Sequence, residues 1–356
     1  MSIFGSPPST SLAASISHIR ASRDRGVRWL LDHISTSGEP VGARERNGWA
    51  RVPWALAVSG ESDAAARVVA WAERTQLAAD GGFAPGPALG SGRFLAYPLA
   101  HFAIGAWLTE HFDTASAAMI ALRKLQDPAT GGLPIAPPQN RSADLHDLLS
   151  TAQVGQAAVI TGQQDIADGV YRWIRELLEL QPANAGSRFY TFRQGKGLLE
   201  TPEKSLEWLS ITDFSLPRQT YYTPGMAAVF LSAYGQRYRL EQPLDLASSL
   251  LARNLSGSAA QVDDLASVQF CKFGWGAAAL ATIDTTRDWT PHLLQMVDWF
   301  IARQAVNGSW SPSVFLQPQP SDIDRLIKTA EHVMEVNSIL GALGAISARQ
   351  TTDGSL

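Results

Sequence analysis

Two short strings in the chain carry side chains able to do acid/base chemistry. Asp144-Leu145-His146-Asp147 sets an imidazole between two carboxylates, the composition of a general acid/base whose protonation a neighbouring acid tunes. Glu331-His332, followed by Glu335, sets a second imidazole beside two acids that are four residues apart and so share one helix face. Like charges at that spacing repel by about 0.2 to 0.5 kcal/mol unless a cation or a shared proton lies between them. Lys328 is the nearby cation in sequence. The candidate catalytic residues are therefore His146, Asp144, Asp147, Glu335 and His332, and the reaction their types allow is proton transfer. The first string has a second use. At the start of a helix over 144–161, Asp144 and Asp147 share a face and complement the helix dipole, while His146 turns aside and meets a carboxylate only if the first turn frays. Asp263-Asp264 and Asp322-Ile323-Asp324-Arg325 read as solvated loop acids. The chain contains no GxGxxG, Walker A, GxSxG or HExxH string, so dinucleotide, nucleotide, α/β-hydrolase and zincin chemistry have no support.

The composition bounds the partners. With 45% hydrophobic residues, 17% charged residues and 11 Trp, the chain can fill a large core. A formal net charge of -4 and the absence of a Lys/Arg run leave no footprint for nucleic acid. One cysteine excludes an intramolecular disulfide and any CxxC motif, in keeping with a reducing, cytoplasmic setting. Apolar stretches such as Trp275–Ile283 are too short to span a bilayer. The Ser/Pro-rich start lacks the pattern of a signal peptide, so residues 1–14 are expected to form a disordered arm, 15–349 one domain, and 350–356 a flexible end.

The elements that must position these residues show in a recurrent punctuation. Gln or Asn ends a helical pattern and a Gly-containing turn follows at Gln76 to Phe83, Gln126 to Leu133, Gln181 to Phe189, Asn254 to Gly257, and Gln304 to Trp310. The separations of 50, 55, 73 and 50 residues leave room for two helices and two connections, so the repeating unit is a helical hairpin. Helical periodicity predicts helices over 16–35, 50–59, 62–77, 96–111, 114–126, 144–161, 164–180, 223–238, 243–254, 267–283, 289–304 and 325–348. Asp113 with Thr114, Ser142, and Thr290 before Pro291 are the expected caps. Twelve helices in six pairs make an all-α (α/α)6 toroid, a double-walled helical barrel whose inner helices must be rich in Ala and Gly. A HEAT-like solenoid is the alternative with the same two-helix period.

These Gln-to-Gly-to-aromatic turns resemble the repeats of squalene-hopene cyclases and, more loosely, the Gly-Gly-Phe turns of protein prenyltransferase β subunits. The resemblance covers about Gln76 to Trp310 and implies the toroid, with the turns tying outer helices together. It also implies a pocket lined by the entries of the inner helices. Carried onto this sequence, that gives Arg51, Trp54, Tyr97, His101, Tyr221, Tyr222, Cys271 and Trp275 as substrate-binding candidates, whose rings suit a hydrophobic or transiently cationic ligand. The sequence departs from both families where they do chemistry, because it has no Asp-x-Asp-Asp acid motif. Phe270-Cys271-Lys272-Phe273-Gly274-Trp275 resembles the helix that supplies two zinc ligands in prenyltransferases, with His332 in the order of the third. Gln269 stands where that family has a carboxylate, and an amide does not replace a carboxylate on zinc, so no metal or other cofactor is expected.

The resulting expectation is a cofactor-independent cyclase, isomerase or lyase acting on a hydrophobic small molecule, a terpenoid or polyketide-like specialised metabolite, as a monomer or homodimer. Two alternatives stay open: a carbohydrate hydrolase or lyase using two carboxylates, and a non-catalytic toroid that binds a protein partner.

Overall fold

Helical periodicity becomes helix throughout the computed structural model, which describes residues 11–87, 93–136 and 144–353. The chain forms two compact units, one from Leu31–Asp213 and the other from Met1–Leu30 with Phe214–Leu356. Helix α1 (Leu12–Asp32) opens the described chain. The Leu31–Asp213 unit continues with a 3-10 turn (Asn47–Arg51), α2 (Val52–Ala57), α3 (Ser62–Thr75), α4 (Ala96–Leu108), α5 (Phe112–Leu125), α6 (Leu148–Thr161), α7 (Gln164–Glu179) and the short α8 (Lys204–Ser210). The other unit holds α9 (Tyr222–Tyr238), α10 (Glu241–Leu255), the one-turn α11 (Ala260–Asp263), α12 (Cys271–Ala281), α13 (Thr290–Ala302) and α14 (Asp322–Asp353). Each of the twelve expected helices has a counterpart, with ends shifted by a few residues. The expected arm lies in part outside the described residues, as does Ser142.

Two burial patterns separate the helices. In α7 the buried residues Ile166, Val170, Trp173, Ile174 and Leu177 form one stripe, the signature of a helix with one face on the core. In α4 every residue from Ala96 to Ala106 is buried, and α12 is buried at all positions but Ala279. Small residues make this possible. Gly225 of α9 faces the Lys272 carbonyl of α12, and a β-carbon there would lie 2.1 Å from that oxygen. Within Leu31–Asp213, α2 packs on α3 and α4, α4 on α5 and α6, and α6 on α7; in the other unit α12 packs on α9, α13 and α14.

The repeated turns have a shared geometry that the glycine explains. Gly38, Gly81, Gly131 and Gly308 all have φ between 83° and 92°, and a β-carbon on each would strike the backbone of a helix in the same unit. The glutamines tie the same joints. The Gln126 side-chain amide donates to the Gly131 carbonyl at 2.9 Å and to the Ile166 carbonyl of α7 at 3.1 Å. Gln304 does likewise to Gly308 and to Ser22 of α1, at 2.9 and 2.8 Å. Gln76 bonds only weakly, at 3.4 Å to Thr75, Gln181 donates to Leu177 and Tyr190 while Gly186 has φ 60° and open space around it, and Gly257 has no positive φ, so three of the five expected instances depart from the pattern. The turn around Gly38, which closes on an Ile34 to Pro40 bridge, belongs to the set without any glutamine.

Among the described residues, five strands of two or three residues were not foreseen. β1 (Leu145–Asp147), β3 (Phe192–Gln194) and β4 (Gly197–Leu198) form an antiparallel sheet in the order β1-β3-β4, and β2 (Arg188–Tyr190) pairs with β5 (Ile211–Asp213). The three-stranded sheet packs on Ile135, Ala136, Leu199 and Leu206. This corrects the expected helix start. Asp147 has φ -116° and ψ 150° and caps α6, its Oδ1 accepting the Ser150 amide at 2.7 Å, so the residues before it must be extended. Asp144 and Asp147 therefore share no helix face.

Candidate active site

The strongest concentration of titratable side chains lies in the unit built from α9–α14, where α12 meets α14. Lys272, in the first turn of α12, is 2% exposed, and its Nζ donates to Glu331 Oε1 and, at 3.2 Å, to Glu335 Oε1. Lys328 donates to the other Glu331 oxygen at 2.6 Å. Glu335 Oε2 accepts from His332 Nδ1 at 2.8 Å, and both of these residues are fully buried. A carboxylate only accepts, so Nδ1 carries the imidazole hydrogen and Nε2 carries the lone pair. Among the described residues no hydrogen-bond partner reaches His332 Nε2. Phe300, Trp310 and Trp299 surround the ring edge to face, at 5.1, 5.8 and 6.2 Å. Trp310 is itself held by its indole N–H on the Phe300 carbonyl and by its amide on Thr329 Oγ1, both 2.9 Å.

Burial sets the proton affinities here. It lowers the His332 pKa against the opposing pull of the Glu335 hydrogen bond, leaving the imidazole neutral at neutral pH. Burial, reinforced by Glu335 and Glu331, pushes the Cys271 thiol well above its ordinary range, so it stays protonated. For Lys328 burial pulls downward, but Glu331 prevails and holds the ammonium above its usual pKa. The cation between the two glutamates is thus Lys272, whereas the expected Lys328 pairs with Glu331. Trp275 completes the group, its ring face 5.3 Å from the Lys272 Nζ.

The structure brings together Cys271, Trp275, Glu331, His332 and Glu335 from the residues singled out in the sequence, and adds Lys272 to them. Tyr221 is fully buried elsewhere, its ring 5.7 Å from Phe214 and its carbonyl bonded by Asn254, and Tyr222 is half-buried. In the Leu31–Asp213 unit a second group of the candidate residues lies together. Arg51 lies over Tyr97 at 4.9 Å, Tyr97 stacks edge-on to His101 at 4.6 Å, and Trp54 lies 5.5 Å from His101.

The Asp144 to Asp147 string does not form the expected constellation. Asp144 is exposed and accepts from Gln194 at 2.9 Å, whereas His146 is buried in β1 with its Nε2 3.9 Å from Asp127 and its Nδ1 3.4 Å from Thr130 Oγ1. The acid that faces His146 is Asp127, from the Gln126 turn. Burial lowers the His146 pKa although Asp127 opposes it. Asp147 is 1% exposed; burial raises its carboxyl to about 6, and no partner among the described residues reaches Oδ2.

Lys272 was visible in the sequence as a single charge in the run Phe270-Cys-Lys-Phe-Gly-Trp275-Gly-Ala-Ala-Ala-Leu280. A lysine inside a helix too apolar and too small-residued to have a wet face must be buried, and a buried ammonium needs carboxylates.

No family model matches the chain, and no curated protein matches it by sequence. Solved structures do match. A type II terpene cyclase, MstE from Scytonema in complex with its product merosterolic acid A, aligns over 93% of this chain and 100% of its own, with 14% identity and a TM-score of 0.56. The α-1,6-mannanase GH76A of Salegentibacter sp. HEL1_6, with α-1,6-mannotriose, aligns over 91% and 99%, with 8% identity and a TM-score of 0.63. An unsaturated glucuronyl hydrolase specific for heparin aligns over 91% and 97%, with 9% identity and a TM-score of 0.60. At such identities the likeness shows the fold alone, which is the α/α toroid of these enzymes.

Proposed function

We propose that the chain is a cofactor-independent enzyme that moves a proton on a hydrophobic small molecule, a terpenoid or polyketide-like metabolite, in a cyclisation, isomerisation or elimination. The observation that carries this reading is the His332 imidazole. Its Nδ1–H is committed to Glu335, and its Nε2 lone pair is buried without a described partner amid Trp299, Phe300 and Trp310. In this arrangement His332 is the general base, and Glu335 orients it and stabilises the imidazolium that forms. Lys272 holds Glu335 in place. Trp275 and the surrounding rings offer an apolar setting with negative faces for a transient cation. The toroid fold shared with a terpene cyclase is compatible with this chemistry, as it is with the sugar chemistry of the mannanases. The buried acids disfavour a glycosidase, since Glu331 and Glu335 share one ammonium instead of standing as a separate acid and nucleophile.

The test is turnover of neutral polyene and polycyclic terpenoid precursors in deuterated water, with product deuteration read by mass spectrometry. His332→Gln is expected to lose on the order of 10² to 10⁴-fold in kcat. In the unsubstituted chain the rate should rise as pH climbs through a pKa below the ordinary histidine value, because the base must be neutral, and then stay level. Full turnover by folded His332→Gln would refute the assignment.

A further inference from the structure

Cys271 Sγ, a His332 ring nitrogen and a Glu335 carboxylate oxygen lie within 4.8 Å of one another, and all three residues are buried. Thiolate, imidazole and carboxylate are the donors that hold a borderline-soft divalent ion such as zinc or cobalt. The sequence comparison with prenyltransferases lacked its carboxylate because Gln269 stands at that position; the fold supplies one from Glu335 instead. The donor set is complete by type, and yet the group does not fit a dication as it stands. Glu335 has no free oxygen, since Oε1 takes Lys272 at 3.2 Å and Oε2 takes His332 Nδ1 at 2.8 Å. The Lys272 ammonium already places positive charge against both Glu331 and Glu335. Gln269 donates its amide to Ser313 Oγ at 2.9 Å.

We propose that Cys271, His332 and Glu335 form a soft-metal site that Lys272 keeps closed. The ammonium is the resident cation: it neutralises the carboxylates, occupies the Glu335 oxygen a metal would need, and repels a dication from the two remaining donors. Removing it frees Glu335 and reverses the local charge, so a metal then enters with release of the Cys271 thiol proton to solvent and no change of oxidation state.

Cobalt(II) titrated into the full chain tests this without reference to turnover, so its outcome is separate from that of the proton-transfer reading. The unsubstituted chain is expected to show no thiolate-to-cobalt charge-transfer absorption. Lys272→Met is expected to bind one cobalt per chain at least about 100-fold more tightly, the scale of removing one like charge beside a dication. The absorption should vanish when Cys271→Ser is added. Because Lys272→Met leaves two buried acids with Lys328 as their remaining cation, the double variant Lys272→Met with Glu331→Gln, which keeps all three donors and removes the surplus charge, serves where the single variant does not fold. A charge-transfer band in the unsubstituted chain, or none in the folded variant, overturns the proposal.

Discussion

Asp147 shows how one side chain can serve structure and resist its own ionisation. Its Oδ1 caps α6 while burial raises its carboxyl from 3.8 to about 6. A carboxyl raised on folding contributes stability that is fully present below the unfolded pKa near 4 and is lost as pH rises through about 6. The loss amounts to about 3 kcal/mol by pH 7. Asp147→Asn keeps an acceptor for the Ser150 amide and removes the ionisation. Urea unfolding of the two proteins should show the variant gaining on the parent between pH 4 and 7, by up to that amount; parallel stability curves would refute the raised pKa. At this scale the sequence was partly legible. The adjacency of Glu331, His332 and Glu335 pointed to a shared cation, but it did not point to Lys272, which comes from a different helix. His146 was likewise singled out with the wrong acids, since Asp127 reaches it through tertiary folding and Asp144 points elsewhere.

Among elements, the glycine turns carry the repeat. Gly131 has φ 83° and its β-carbon position lies 2.1 Å from the Gly169 carbonyl oxygen of α7. Gly186 has φ 60° and open space around that position. Gly131→Ala must both strain the backbone and push α7 away, and is expected to cost at least about 3 kcal/mol, whereas Gly186→Ala pays backbone strain alone, about 1 kcal/mol. Chemical denaturation of the pair measures the difference, and equal losses would show that α7 gives way freely. Helix existence was legible because apolar spacing and turn residues are local properties. The start of α6 was not. An aspartate suits both a cap and a first helical turn, and the choice was made by β3, whose residues Phe192–Gln194 pair with β1 from far along the chain.

For the molecule as a whole, burial predicts a hierarchy of opening. Helices α4, α9 and α12, buried nearly all round, should exchange their amide hydrogens only on global unfolding. The short α8 and α11 hold two buried residues each and should exchange far sooner. Hydrogen exchange read by mass spectrometry checks this order, and protection of α8 equal to that of α12 would contradict it. The two-helix period was readable in advance, and the α/α toroid of the matching structures agrees with it. Taken alone, the amino-acid order determined the hairpin repeat, the helices and the net charge of -4, because periodicity, turn chemistry and net charge are sums over neighbouring residues. Only the tertiary structure decided that Lys272 lies between Glu331 and Glu335, that His332 donates to the same Glu335, and that Asp127 faces His146. Which charge meets which across two packed elements depends on their distance and rotation, and the burial that makes such a meeting necessary exists only once the chain has folded.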